Sequence, residues 1–237
     1  MVDLKSIKPH DLWYIIGLIA TDGYLSKDGR HINITSKDRH YLFSVRKALG
    51  INNKIGKKTR EKEKIKKYSQ IQFGDVKFYK YLLDIGMVQK KSLNLGKIKV
   101  PHQYFPDFLR GVVDGDGGIS TWIHKTNLHR QWSLRITSGA FLFINWLKKE
   151  TENYLDIKGK LYCYKYKNKT NPIYILKFGK LSTKIILKSI YYKKALSLQR
   201  KNKQSTVCLQ DKNKMINYGN VIGPGAGTGR QPRLKIE

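Results

Sequence analysis

The feature that most constrains this chain is an apolar segment of helical length that occurs twice. The first copy, residues 12–23, reads LWYIIGLIATDG, and the second, residues 108–117, reads FLRGVVDGDG. Both end in a carboxylate followed by a glycine. Apolar residues occur almost all the way round each segment, which is typical of a helix buried in the middle of a molecule. We therefore predict two helices at the centre of the fold.

Small residues at helical spacing indicate that the two segments pack against each other. Gly17 and Thr21 are four residues apart in the first copy, and Gly111 and Gly115 are four apart in the second. Residues with this spacing lie on one face of a helix, and small side chains there let a second backbone approach closely. We therefore predict a direct contact between the two helices.

The acids at the ends of the segments point to a bound cation. Asp22 and Asp116 follow the exposed carbonyls of a helix C-terminus, where an acid costs about 0.3–1 kcal/mol. If the helices pack side by side, the two acids also repel each other. A divalent ion with oxygen ligands, Mg²⁺ above all, would compensate both effects. Gly23 and Gly117 suit the left-handed turn that ends many helices.

The two segments resemble a known sequence motif. Residues 15–23, IIGLIATDG, and residues 109–117, LRGVVDGDG, look like the two motifs of a single-chain LAGLIDADG homing endonuclease. The resemblance implies that Asp22 and Asp116 bind catalytic Mg²⁺, that Mn²⁺ substitutes for it, and that Ca²⁺ binds without supporting cleavage. It also places the metal ions beside the backbone of Thr21, Gly23 and Gly115.

Further catalytic roles follow from the same resemblance. Asp114 occupies the earlier acid position of the motif, but its counterpart in the first copy is Ala20, which argues against a required catalytic role for Asp114. A basic group near the scissile phosphate would offset developing charge or orient a water molecule. Lys-Lys pairs recur at residues 90–91 and 193–194. By the pattern of the family, we expect Lys91 and Lys194 to take this role.

The charge of the chain predicts a polyanionic partner. There are 47 Lys and Arg residues against 17 Asp and Glu residues, a formal charge of +30. Such an excess is far beyond what solubility needs, and on charge alone DNA, RNA and an anionic membrane all remain open. No apolar run is long enough to span a bilayer. We expect a monomer in the cytoplasm, or in an organelle matrix if the gene is organellar.

The rest of the chain repeats with the motifs. Each copy is followed by patterns for two strands, a helix, two strands and a helix, and short matches recur, such as residues 34–37 with residues 136–139. We predict an α+β fold of two pseudo-twofold αββαββα halves that form a saddle of two antiparallel sheets. The predicted units are residues 1–97, residues 98–204 and a basic extension, residues 205–237.

The alternating strand patterns leave one polar face on each sheet. Two-stranded ribbons can enter the major groove of DNA, where Gln, Asn, Arg and Lys read base edges. We therefore predict double-stranded DNA as the partner. The residues predicted to face it are His31, Asn33, Thr35, Lys57, Thr59, Tyr68, Gln70, Gln72, Lys125, Arg130, Gln131, Ser133, Arg135, Thr137, Lys160, Tyr162, Tyr164 and Lys177.

Three functions agree with these patterns. The first is a site-specific, intron-encoded endonuclease that uses one aspartate per strand and leaves a double-strand break with short 3′ overhangs, as the resemblance implies. The second is a maturase that binds its own intron RNA. The third is a DNA-binding regulator that has lost cleavage. The presence of both acids favours the first, because a protein that only binds has no reason to keep a costly pair of aspartates.

Overall fold

The first half of the protein has the predicted order of elements. The computed structural model describes residues 2–58, 68–166, 170–211 and 234–235. The helices and strands of the first half are α1 (Pro9–Asp22), β1 (Gly23–Leu25), β2 (His31–Ser36), α2 (Arg39–Ala48), β3 (Ile55–Lys58), β4 (Tyr68–Gly74) and α3 (Val76–Asp84).

The second half repeats this order and adds a helix. A short helix, α4 (Lys91–Asn94), and a 3-10 turn at His102–Tyr104 lead into it. Its elements are α5 (Phe105–Asp116), β5 (Gly117–Ile123), β6 (Arg130–Ser138), α6 (Phe141–Leu155), β7 (Lys160–Tyr164), β8 (Ile173–Phe178), α7 (Lys180–Ile190), α8 (Gln199–Gln210) and β9 (Leu234–Lys235).

The strands form two antiparallel sheets with the same connectivity. The first sheet has the order β1-β2-β4-β3, and the second has the order β5-β6-β8-β7 with β9 paired to the outer edge of β7. This arrangement confirms the predicted α+β fold of two repeated halves. Helix α8 continues past residue 204, where we predicted the end of the second unit. Its residues Ser205 and Cys208 are buried.

The motif helices α1 and α5 pack against each other through their glycines. A Cβ atom on Gly17 would lie 2.1 Å from the carbonyl oxygen of Phe108, and one on Gly111 would lie 2.1 Å from that of Tyr14. Such distances leave no room for any side chain larger than hydrogen. The predicted close contact between the two helices is therefore confirmed.

The glycines that follow the motif helices differ from expectation. Gly23 has φ −89° and Gly117 has φ −80°, so both are extended and neither adopts the predicted left-handed turn. The reason is that each helix passes directly into a strand. Glycine is needed at this position for a steric reason instead, because a Cβ atom on Gly23 would lie 2.6 Å from the Cα atom of Ile19.

The apolar core lies between the helices and one face of each sheet. Alternation along β2 buries Ile32 and Ile34, and alternation along β6 buries Leu134 and Ile136. The opposite faces of both sheets remain open to solvent over much of their area. Among the residues that the structure describes, no helix is long and apolar enough to cross a membrane.

Candidate functional site

The ends of α1 and α5 bring Asp22 and Asp116 to one place. Thr21 and Lys91 line both the cleft that contains Asp22 and the cleft that contains Asp116. The helices are close here too, since a Cβ atom on Gly115 would lie 2.0 Å from the hydroxyl oxygen of Thr21. The two clefts thus meet at the pseudo-twofold axis, with one carboxylate from each half.

The surroundings of the two acids disfavour their charged forms. Both side chains are reached by solvent, but the walls of the clefts desolvate the carboxylates. Desolvation, with repulsion from Asp116 as the second cause, raises the pKa of Asp22 to about 6. Desolvation also raises the pKa of Asp116. A cation between the carboxylates would relieve both effects.

The donor set fits a hard divalent cation. Within the described ranges, neither carboxylate accepts a hydrogen bond, since the nearby ammonium groups bond to backbone carbonyls instead. The same ranges contain no group of three or more His, Cys, Asp or Glu side chains that could hold a metal. Mg²⁺ is usually bound by one or two carboxylates together with water and substrate phosphate oxygens. Asp22 and Asp116 supply the carboxylates for such a site.

A lysine from the first half sits at the end of α1. The Nζ atom of Lys91 donates to the carbonyl oxygen of Ala20 at 3.0 Å and also to that of Thr21. Burial lowers the pKa of Lys91 to about 8, against the opposing effect of Asp116 and Asp22. The ammonium therefore offsets the negative end of the helix beside the acid pair.

The equivalent group in the second half is Lys201. Its Nζ atom donates to the carbonyl oxygens of Val113 at 2.6 Å, Asp114 at 2.7 Å and Gly115 at 3.3 Å. Burial lowers the pKa of Lys201 to about 8, and Asp114 is the strongest opposing charge. Lys91 and Lys201 thus bind the carbonyls one and two residues before the aspartate of their own half.

Lys194 is not at the position that we predicted for it. The side chain is exposed and its φ angle is +65°, in the connection between α7 and α8. In the first half the second lysine of the pair begins helix α4, whereas in the second half the chain runs on to Gln199 before α8 begins. The lysine that reaches the motif helix is consequently seven residues later. A further basic pair, Arg200-Lys201, marks it in the sequence, but that pair does not repeat the position of the Lys-Lys pair in the first half.

Most of the predicted DNA-facing residues share one face of their sheet. Strand pairing aligns Asn33 with Gln72 and Arg135 with Lys177, and side chains alternate between faces along each strand. Lys125 lies in the exposed β5–β6 loop, and Arg130 is exposed at the start of β6. The residues on the open faces are His31, Asn33, Thr35, Tyr68, Gln70, Gln72, Gln131, Arg135, Thr137, Lys160, Tyr162, Tyr164 and Lys177.

Lys57 lies on the other face of the first sheet. It pairs with the buried Ser69 and shares the side of β3 that carries buried Ile55. Lys58 pairs with Tyr68 instead and is on the open face, which our prediction missed although the spacing from Ile55 could have shown it. Thr59 lies outside the described residues.

Ser133 is buried, so it cannot be a surface contact. Its side chain is 0% exposed, and its hydroxyl has no hydrogen-bond partner among the described residues. On the same face, the ammonium of Lys177 on β8 lies 5.6 Å from the ring centroid of Trp122 on β5, and the strand that carries Ser133 lies between β5 and β8. The prediction also missed Trp122 and Tyr24, two exposed aromatic residues on the open faces.

Comparison with protein families agrees with the motif and the fold. Residues 9–86 match the family model of the LAGLIDADG-like domain. The first half of the chain therefore contains a LAGLIDADG-like domain. The second half lies outside this match and repeats the helix, the sheet and the aspartate of the first. No curated protein sequence gives a significant match.

Solved structures share the fold over most of the chain at low sequence identity. Full-length DUF199/WhiA from Thermatoga maritima has a TM-score of 0.53 at 16% identity, over 91% of this chain. The chain spans only 62% of the length of that protein. The meganuclease I-AabMI bound to uncleaved DNA has a TM-score of 0.53 at 17% identity, over 84% of this chain and 90% of its own.

A third structure is a complex with target DNA and magnesium. A glycine-to-serine variant of I-DmoI, with its target DNA in the presence of 2 mM Mg, has a TM-score of 0.50 at 15% identity, over 78% of this chain and 97% of its own. At these identities the similarity establishes the fold alone, so the chemistry of the site depends on the residues of this chain.

Proposed function

We propose that the protein is a metal-dependent, site-specific DNA endonuclease that hydrolyses one phosphodiester bond in each strand of a duplex. The observation that carries this proposal is a repeated pair of groups at the pseudo-twofold axis. Each half supplies an aspartate with an open carboxylate and a lysine bound to the carbonyls just before it. A protein that only binds DNA needs neither the repelling acids nor the desolvated lysines.

Each residue has a distinct role in this proposal. Asp22 and Asp116 would hold Mg²⁺ between the halves, and Mg²⁺, when bound, supplies charge neutralisation and acidifies water for in-line attack on the phosphodiester. Lys91 and Lys201 keep their ammonium groups beside the scissile phosphates, where they offset the charge that develops on the phosphate oxygens. One such pair per half gives one cut per strand.

The open faces of the two sheets would hold the duplex above the aspartates. These faces carry amide, hydroxyl and basic side chains that suit base edges and phosphates, and the formal charge of +30 supplies long-range attraction. The DNA complexes of I-DmoI and I-AabMI, which have the same fold, support a duplex in this position.

The test is to incubate the protein and Mg²⁺ with a randomised duplex library and to sequence the cut ends, with EDTA as the control. We expect a single long target motif with staggered cuts that require the metal. Duplex binding without any cut would instead support the non-cleaving regulator. Neither cutting nor specific duplex binding, together with tight binding of intron RNA, would support the maturase.

Substitution of Lys201 is expected to slow cleavage strongly, whereas substitution of Lys194 is not. Lys201→Met is expected to lower the single-turnover cleavage rate by about a hundredfold, because it removes the ammonium beside the site. Lys194→Met removes an exposed charge and is expected to change the rate by less than about twofold. Rates on a duplex with both strands labelled test this assignment, and equal effects of the two substitutions would contradict it.

Lys58 and Lys57 provide a test substitution and its control for DNA binding. Lys58→Ala is expected to reduce the slope of log affinity against log salt by about 1, as for the loss of one phosphate contact. Lys57→Ala is expected to leave the slope nearly unchanged, because that side chain is on the opposite face of the sheet. Fluorescence anisotropy over a range of salt concentrations measures both slopes, and a larger change for Lys57 would contradict the placement of the duplex.

The pKa of Asp22 sets the expected pH dependence of cleavage. The ionised carboxylate is the form that binds a cation, so cleavage is expected to fall as the pH drops through about 6. Because the cation competes with the proton, about tenfold more Mg²⁺ is expected to move the midpoint to lower pH. Single-turnover rates between acidic and neutral pH test this shift, and a midpoint that does not depend on Mg²⁺ would contradict it.

A further inference from the structure

The buried carboxylate of Asp114 accepts hydrogen bonds from three donors and has no role in the cleavage proposed above. Asp114 is 2% exposed and lies two residues before Asp116. Its Oδ1 atom accepts from the hydroxyl of Tyr191 at 2.5 Å. Its Oδ2 atom accepts from the hydroxyl of Tyr14 at 2.7 Å and from the backbone N–H of Leu198 at 2.7 Å. A buried charge is tolerated only with such partners, so the network is strongly ordered.

These donors come from both halves of the molecule. Tyr14 is on α1, and its hydroxyl is 2.5 Å from the hydroxyl of Tyr41 on α2. Since the single phenolic proton of Tyr14 is donated to Asp114, Tyr41 donates to Tyr14. Tyr191 follows α7 in the second half. The carboxylate therefore ties α1 and α2 to the connection between α7 and α8.

The third donor fixes the start of α8. Leu198 directly precedes that helix, and its carbonyl oxygen accepts from the backbone N–H of Lys201 at 2.9 Å and of Asn202 at 3.1 Å. Lys201 is thus in the first turn of α8. Its backbone N–H is bonded to Leu198, and the N–H of Leu198 is in turn bonded to Asp114. The ammonium of Lys201 returns to α5 and donates to the carbonyl oxygen of Asp114 at 2.7 Å. Asp114 holds the lysine through both its side chain and its backbone.

We propose that Asp114 is a positioning residue that places Lys201 at the end of α5. The first half does without such a carboxylate, because Ala20 stands at the equivalent position and Lys91 begins α4 directly. The consequence for cleavage rests on the proposed nuclease function, whereas the placement of Lys201 can be measured without it. The asymmetry between Asp114 and Ala20 then reflects the longer connection before α8.

The chain offers a closely matched control for Asp114→Asn. Asp75 is also buried, at 4% exposed, and its carboxylate accepts from the backbone N–H of Val2 at 2.6 Å and of Phe78 at 2.9 Å. It directly precedes α3 in the first half. Asp75→Asn therefore removes a comparable buried carboxylate whose two backbone donors both lie in the first half.

The measurement is lysine footprinting of the full-length, metal-free protein with an amine-reactive reagent, together with hydrogen exchange at the amide of Leu198. In Asp114→Asn we expect both labelling of Lys201 and exchange at Leu198 to rise by about tenfold or more, the scale expected for losing hydrogen bonds to a charged group. Asp75→Asn is expected to leave both near the wild-type values. Wild-type labelling in Asp114→Asn, or an equal increase in Asp75→Asn, would overturn the proposal.

A milder variant covers the case in which Asp114→Asn does not fold. Tyr191→Phe removes one donor and is expected to raise labelling of Lys201 by about threefold, so unchanged labelling would again overturn the proposal. If the wild type cleaves DNA, Asp114→Asn should slow single-turnover cleavage while the DNA Kd stays within about twofold. If the wild type cuts no DNA while the footprint behaves as expected, the nuclease function fails and the positioning by Asp114 stands.

Discussion

Replacement of Asp22 by asparagine is expected to lower the rate of double-strand cleavage by about a thousandfold, with binding of the DNA target retained. Asparagine keeps the size of the side chain but removes the charge that would hold Mg²⁺ beside the phosphate. Asp116→Asn is expected to have an effect of the same size. Single-turnover assays on a supercoiled plasmid that carries the target measure both losses and detect any nicked intermediate.

Asp84→Asn is the control for these substitutions, because Asp84 also ends a helix, α3, but lies outside both clefts. It is expected to cleave at the wild-type rate. Cleavage by Asp22→Asn at more than about a tenth of the wild-type rate would contradict the proposed role of Asp22, because the loss of one catalytic charge should cost far more.

Asp22→Asn is also expected to stabilise the metal-free protein. The folded-state pKa of Asp22 is raised to about 6, so ionisation of Asp22 lowers stability as the pH rises from the unfolded value to 6 and stays costly above it. Asp22→Asn removes this cost. We expect a gain of only about 1 kcal/mol near neutral pH, because the carboxylate is open to solvent.

Replacement of Gly17 by alanine is expected to lower the free energy of unfolding by at least about 2 kcal/mol. Alanine favours a helix over glycine by about 1 kcal/mol, but its Cβ atom would lie 2.1 Å from the carbonyl oxygen of Phe108. A clash with backbone cannot be relieved by a side-chain rotation, so the two motif helices must move apart. Chemical denaturation measures the loss, and Gly111→Ala is expected to behave alike.

Gly56→Ala is the control for the glycine substitutions. A Cβ atom at Gly56 on β3 would meet nothing within 4 Å, so the change is expected to be neutral or slightly stabilising. Equal effects of Gly17→Ala and Gly56→Ala would contradict the close contact between α1 and α5.

The sequence predicts the parts of this molecule that depend on local patterns. The motif helices are apolar on nearly every side and carry glycines at matched positions, so their burial and their contact could be predicted. The open faces of the sheets could also be predicted, because alternation along β2 and β4 is regular. The aspartates follow from the same pattern, since each is the last residue of its helix.

What could not be predicted depends on the path of irregular connections. The repeat of Lys-Lys pairs suggested Lys194, but the length of the segment before α8 decides which lysine reaches α5, and that lysine is Lys201. The turn at Gly23 depends on how soon β1 begins after α1. Burial of Ser133 could not be predicted from alternation along β6, which places it on the same face as the exposed Arg135.

The measurement that tests the central claim most directly is an anomalous difference map of a crystal of the DNA complex soaked with Mn²⁺. We expect the strongest peaks between the ends of α1 and α5, with oxygen atoms of both Asp22 and Asp116 within about 2.3 Å of manganese and with phosphate oxygens completing the coordination. Strong peaks elsewhere, with none touching either carboxylate, would contradict the account of these two acids as a shared metal site.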